Sequence, residues 1–294
     1  MEALGTQRDQ VGESPLWSVQ EQALWWVDID GRLLRRFDWA TQTLQSWPTA
    51  ERIACIALHA DGGLLAGMEH GLHHLRPHAD GRLDDQLLSA VAHARPDMRF
   101  NDGRCDRAGR FWSGTMVLDM SQASSAGTLY RYDHRGLQPQ LPGLITPNGL
   151  GFSPDNRTMY LSDSHPTVQR IWAFDLAADG TPSNRREFVD MNAHPGRPDG
   201  AAVDAEGCYW ICGNDAGLVH RFTPAGQLDR SLRVPVAKPA MCAFGGPALD
   251  LLFVTSITPA QPIAGFERAL DGALFVTRPG VQGLAETAFR SDAS

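Results

Sequence analysis

Four oxygen-bearing side chains, Glu13, Asn101, Asn148 and Asp199, stand at one step of a pattern that this 294-residue chain repeats. Each opens a short apolar run that ends in a turn. In the two remaining repeats the same step is alanine, Ala54 and Ala240. If that step begins the innermost strand of a ring of repeats, carboxylate and carboxamide oxygens point inward from four directions. The alanines then leave room beside them. An all-oxygen set without His or Cys suits a hard divalent ion such as Ca²⁺, Mg²⁺ or Mn²⁺. Glu13 and Asp199 bring the two negative charges that balance such an ion; without it they repel each other and one tends to protonate. Asn-Gly and Asp-Gly at 102–103, 148–149 and 199–200 are also ordinary turn dipeptides. One instance alone favours the turn; four at a single repeat step favour the ion. Arg99 lies two residues before Asn101, so an extended chain projects both to one side. A guanidinium there suits a substrate rich in oxygen acceptors.

The elements that must position these groups follow from the repeat itself. Six segments superpose, beginning at Gly12, Ile53, Arg99, Asn148, Asp199 and Met241. Each holds three or four short strand-like runs with turns between them, as in Ala23-Leu-Trp-Trp-Val-Asp28, Met159-Tyr-Leu-Ser-Asp163 and Leu251-Leu-Phe-Val-Thr255. A period of about 40–50 residues with this strand count predicts an all-β, six-bladed β-propeller with four-stranded blades around a central channel, one domain over 1–294. A β-sandwich explains short strands but gives no reason for the sixfold likeness. Ring closure requires either residues 4–10 or residues 285–290 to complete the sixth blade. Residues 83–94 fit no strand of the repeat and are expected to be an irregular loop. Trp17, Trp25, Trp26, Trp112, Trp172 and Trp210 recur at similar steps, as core between blades would.

Composition narrows the function classes. Gly and Pro, 29 and 19 in number, leave little room for long helices. The net charge of −8 and the lack of a basic run argue against nucleic acid. No run approaches the ~20 apolar residues of a membrane span, and the first ten residues lack the basic head and apolar stretch of an export signal. Five scattered cysteines then read as reduced thiols in a cytoplasmic protein. Cys208 and Cys212, on one strand face but roughly 13 Å apart at ~3.3 Å per residue, read as small buried side chains. The run His70, His73, His74, His78 matches no zinc spacing. Gly12-Glu-Ser-Pro-Leu is not a nucleophile elbow.

The motifs Gly12-Glu-Ser-Pro-Leu-Trp17, Arg99-Phe-Asn-Asp-Gly103, Gly114-Thr-Met116, Thr146-Pro-Asn-Gly149, Arg197-Pro-Asp-Gly200 and Cys242-Ala-Phe-Gly-Gly246 run through the whole chain. In that order they resemble the gluconolactonase/regucalcin (senescence marker protein) family. The resemblance implies a six-bladed propeller with one divalent ion in its channel, held by Glu13, Asn148 and Asp199, with Asn101 beside it in the substrate site. Ca²⁺ is the first expectation; Zn²⁺, Mn²⁺ and Fe²⁺ also occur in the family, and Mg²⁺ fits the same all-oxygen set. It further implies hydrolysis of a sugar lactone, with Arg99 and Asp119 binding the sugar and Asp199 accepting a proton from the attacking water. Asp119 stands where the family also uses Glu. The protein is expected to act on a small molecule, as a monomer or weak dimer. A calcium-binding regulator and a phosphotriesterase or aryl-ester hydrolase on the same scaffold are the alternatives.

Overall fold

Short apolar runs separated by tight turns pair with their neighbours in sequence as antiparallel strands. The structure, a computed structural model, describes residues 1–266 and 268–293 and arranges these strands as six four-stranded sheets. Blade 1 is Gly12–Ser18, Ala23–Asp28, Leu33–Asp38 and Thr43–Pro48. Blade 2 is Ile53–Leu58, Leu64–Met68, Gly71–Pro77 and Leu83–Ala90. Blade 3 is Met98–Cys105, Phe111–Val117, Gly127–Asp133 and Gly136–Leu144. Blade 4 is Pro147–Phe152, Thr158–Asp163, Arg170–Leu176 and Pro182–Asp190. Blade 5 is Arg197–Val203, Tyr209–Asn214, Leu218–Phe222 and Leu228–Arg233. Blade 6 is Pro239–Gly245, Leu251–Ser256 and Leu274–Thr277, completed by Glu2–Leu4. The first strand of every blade touches the first strands of both neighbours, so the six line a common axis. This is the six-bladed propeller.

Burial explains why the four strands of a blade read so differently. Second strands such as Ala23–Asp28, Tyr209–Asn214 and Leu251–Ser256 are buried at every residue, because a neighbouring blade covers each face. The outermost strands are half open to water and polar. Residues 83–94, expected as a loop, illustrate this: Leu83–Ala90 is the fourth strand of blade 2, paired from Pro77↔Leu83 to Gly71↔Ala90, and the irregular part begins only after it. An edge strand with a single partner needs no apolar alternation, so its Leu-Asp-Asp-Gln start hid it. Of the tryptophans, Trp17, Trp25, Trp26, Trp112 and Trp210 are buried. Trp172 is half-buried, with the Arg185 guanidinium 3.9 Å above its ring. All five cysteines are buried and free.

The two candidate closures divide the work. Glu2–Leu4 pairs with Leu274–Thr277 and seals the ring. The C-terminal residues instead cross the turn end of the channel: Ala205 N–H donates to Gln282 O, Phe289 N–H to Leu58 O and Arg290 N–H to Gly109 O. Glu286 reaches the Arg104 guanidinium at 3.2 Å. No helix is long and apolar enough to cross a membrane among the described residues. Removal of residues 1–4 would leave Leu274–Thr277 an open edge. Such a truncation should lower the melting temperature by roughly 5 °C or more and cause concentration-dependent aggregation in light scattering; an unchanged melting curve would show that the ring is held shut elsewhere.

Candidate functional site

The ladder between first and second strands slips at the same point in every blade. The slips fall between Glu13 and Leu16, Ile53 and Cys55, Phe100 and Gly103, Asn148 and Gly151, Pro198 and Ala201, and Pro239 and Cys242. A bulge leaves a residue unpaired and re-aims its side chain. Here it falls at or just after the repeat step that carries the oxygen donors: Asn101 and Asp199 are unpaired, while Glu13 and Asn148, still opposite Val27 and Ser162, directly precede it. After Glu13, Ser14 takes a positive φ of 51° and its Oγ accepts from Ile56 N–H at 2.9 Å, tying blade 1 to blade 2. After Asn148, Gly149 has φ 59°, and a Cβ there would lie 2.5 Å from the Tyr209 hydroxyl of the next blade. Only glycine fits that approach.

Glu13, Arg99, Asn101, Asn148 and Asp199 line one cavity of about 190 Å³ at the end of the channel where the innermost strands begin. Asp199 is held by two amides: Asn148 Nδ2 donates to its Oδ1 and Asn214 Nδ2 to its Oδ2, both at 2.6 Å. Asn148 Nδ2 also donates to Ser164 Oγ at 3.2 Å. Asn101 is already committed: its Oδ1 accepts from Arg99 Nη1 at 2.7 Å and its Nδ2 donates to Pro147 O at 3.0 Å. An oxygen that already faces a guanidinium is the poorest of the four for a cation, which leaves Glu13, Asn148 and Asp199 as the better donors. Thr146 Oγ1, buried in the cavity wall, has no partner. Val11, Ile29, Met116, Met120 and Ile257 supply apolar walls.

Asp119 does not line the cavity. It sits past the end of the strand Phe111–Val117, exposed, where its carboxylate caps the turn Met120–Gln122 by accepting from Ser121 N–H at 3.0 Å and Ser121 Oγ at 2.6 Å. Its neighbour Met120 is the residue of that turn that faces the cavity. Asn214, Ser164 and Arg197 were not among the sequence candidates. Arg197 stands two residues before Asp199, as Arg99 does before Asn101; the signal for Asn214 and Ser164 lay at the end of the second strands, where Asp28, Asp163, Asn214 and Ser256 stand opposite the entrance of the first strands. Aligning the repeats on the first strand alone passes over it.

The electrostatics follow from burying like charges together. Burial pushes the Glu13 carboxyl well above its ordinary range, and the charges of Asp199 and Asp102 push it further. Burial lifts Asp199 to about 6, against the lowering effects of the Arg197 charge and the Asn214 and Asn148 hydrogen bonds. Arg99 is lowered by burial, against the raising effects of Asp30 and Glu13. Two desolvated carboxylates, an amide oxygen and an orphaned hydroxyl form a hard-oxygen donor set, so the residues fit a divalent cation.

Two other clusters do not compete. Asp204, Glu206 and Cys208 bring ligand atoms within 4.8 Å of one another, but the Arg221 guanidinium already pairs with Asp204 at 2.8 Å and Glu206 at 2.6 Å. Asp204 also accepts from Trp210 Nε1 at 2.8 Å, so it locks the turn of blade 5. The histidines of blade 2 disperse: His73 to Asp85, His78 to Asp84, His70 to Glu51, and His74 to Gly62 O. A larger hollow of 410 Å³ between Pro154, Tyr160, Arg186 and Pro224 lies apart from the carboxylates.

A family model described as SMP-30/Gluconolactonase/LRE-like region matches residues 11–258. The chain belongs to this family. It is 38% identical to the 6-deoxy-6-sulfogluconolactonase of Pseudomonas putida, over 95% of this chain and 94% of that one. It is 32% identical to a pentonolactonase of Haloferax volcanii, over 96% and 94%. Its fold matches the crystal structure of regucalcin from Agrobacterium tumefaciens, described as a calcium-binding protein, with a TM-score of 0.88, 27% identity and coverage of 98% and 96%.

The sign of the linkage is testable on this family member without any substrate. Asp199 and Glu13 have folded-state values above their unfolded ones, so they favour the ion-free fold at acid pH. That contribution is lost as pH rises through about 6 for Asp199. A cation restores it only where the carboxylates are ionised. Ca²⁺ added to chelator-treated protein at a hundred times its Kd should raise the melting temperature by about 5 °C at pH 7.5 and by far less at pH 5. Equal shifts at both values, or none, would mean the carboxylates do not bind the ion.

Proposed function

We propose that this chain is a metal-dependent sugar lactonase, a carboxylic-ester hydrolase that opens an aldonolactone to the aldonic acid. One observation carries the reading: carboxylates from blades 1 and 5 and a guanidinium from blade 3 face a single small cavity. Relatives named as sulfogluconolactonase and pentonolactonase, aligned over nearly all of this chain, support the reaction class. The calcium-binding regucalcin structure supports a cation. The polar side chains in the cavity wall, Arg99, Asn101, Asn148, Asn214 and Arg197, suit a sugar ring better than an apolar aryl ester.

Glu13, Asn148 and Asp199 would hold the ion, Ca²⁺ in the first instance. When bound, it polarises the lactone carbonyl as a Lewis acid. The chain's own residues do the rest. Beside the cation Asp199 stays ionised at neutral pH, and it is the carboxylate placed to act as the base. It takes a proton from the water that attacks the carbonyl carbon. As the ring C–O bond breaks, the same proton passes to the departing alkoxide. Asn148 and Asn214 fix the plane of the Asp199 carboxylate, one amide on each oxygen. Arg99, steadied by Asn101, orients the sugar oxygens. Met116 and Met120 add apolar wall to the cavity.

Acid release from a panel of aldonolactones, with and without chelator, tests this. Asp199→Asn and Asp199→Ala should lower kcat by about 10³-fold, and chelator should abolish turnover until a divalent ion is returned. Full activity in either variant removes the mechanism. Tight calcium binding with no turnover of any lactone would place the protein with calcium-binding regulators instead.

A further inference from the structure

The two arginines that line the cavity are in opposite states. Arg197 is fully engaged: Nε pairs with Asp215 at 2.7 Å, Nη1 donates to Ser164 O at 3.3 Å and Nη2 to Asn214 Oδ1 at 3.4 Å. Its charge is matched by Asp215, which also pairs with Lys238. Arg99 uses only one nitrogen. Nη1 donates to Phe100 O and to Asn101 Oδ1, both at 2.7 Å. Asn101 is itself anchored to Pro147 O of the next blade. The guanidinium plane is therefore held at one corner, while Nε and Nη2 have no protein partner. Arg99 has no carboxylate partner among the described residues.

Nε–H and the adjacent Nη2–H form the side edge of the guanidinium, two parallel donors whose spacing matches two oxygens of one oxyanion. The charges lining the cavity point the same way. Arg197 is paired with Asp215, whereas Arg99 makes no ion pair among the described residues and feels Asp30 and Glu13 only at longer range. A neutral polyol can fill its donors but not offset its charge, and an unbalanced, partly desolvated charge is costly. Met116, Met120 and Ile29 in the wall lower the local dielectric and strengthen any ionic contact there.

We propose that the preferred lactone carries an oxyanion, of the sulfonate, phosphate or carboxylate kind, on a carbon remote from its carbonyl, and that the free Nε/Nη2 edge of Arg99 receives it. This rests on the lactonase reading and narrows it to a substrate class. Asn101 acts here as a positioning residue, holding the guanidinium by its Nη1 corner and leaving the other edge free.

The test compares gluconolactone with its 6-sulfonate, 6-phosphate and 6-carboxylate counterparts in the calcium-loaded wild type, Arg99→Gln and Arg99→Lys, after subtraction of spontaneous hydrolysis. The wild type should favour at least one anionic lactone over the neutral one by about tenfold or more in kcat/KM. The ratio should fall close to one in Arg99→Gln, whatever that variant does to the neutral substrate. Arg99→Lys, which keeps the charge but not the fork, should retain a reduced part of it. The ranking of the three anions identifies which oxyanion the edge fits. Calorimetric binding of 6-deoxy-6-sulfogluconate and 6-phosphogluconate against gluconate to the wild type reads the same preference without turnover. The proposal falls if the wild type shows no preference in either assay, or if Arg99→Gln leaves the preference intact. Failure of every lactone to turn over, with the anion preference in binding preserved, would overturn the lactonase reading and leave the anion site standing.

Discussion

Everything at the hub follows from one costly act: two carboxylates are brought out of water and aimed into the same small space. Charge buried beside like charge is unfavourable unless hydrogen bonds or an opposite charge offset it. Asp199 receives an amide on each oxygen. Glu13 receives only its own neighbour's Ser14 N–H, at 3.0 Å. The polar shell around the pair therefore softens the repulsion without removing it, and both groups stand above their ordinary range. A site strained in this way is poised for a cation, and its stability and its chemistry become functions of the same occupancy.

Holding such a pair together takes a scaffold that does not spread. Glu13 and Asp199 lie far apart in sequence and on blades that do not touch along their inner strands, so only closure of the ring keeps them facing. The Glu2–Leu4 strand supplies that closure. The C-terminal segment crosses the opposite end of the channel and inserts Glu286 against Arg104. The end of the channel away from the cavity is thus obstructed.

The repeated bulge in the first strands converts this scaffold into a site. A regular ladder would alternate side chains between the two faces of each blade, where they would pack against neighbouring blades. The slip at the third to fifth residue of the donor-bearing strands breaks that alternation at the oxygen-donor step, leaving Asn101 and Asp199 unpaired and beginning directly after Glu13 and Asn148. The alanines at the same step in blades 2 and 6 show that the geometry belongs to the fold, while the chemistry belongs to the four blades that carry oxygen donors there.

Much of this was legible in the chain itself. The six repeats, the strand grammar and the convergence of Glu13, Asn101, Asn148 and Asp199 follow from self-similarity, because a residue type recurring at one step of a ring must meet its counterparts at the axis. Local pattern failed where pairing was one-sided, as in Leu83–Ala90, since an edge strand carries no signature of burial. It also could not rank the four oxygen donors, because Asn101 is consumed by Arg99 and Pro147 only once blades 3 and 4 are packed. Asp119 faces solvent because the strand before it ends at Val117 and the chain turns there. Which terminus closes the ring, and which edge of Arg99 is left open, depend on contacts between segments distant in sequence, and such contacts exist only in the folded chain.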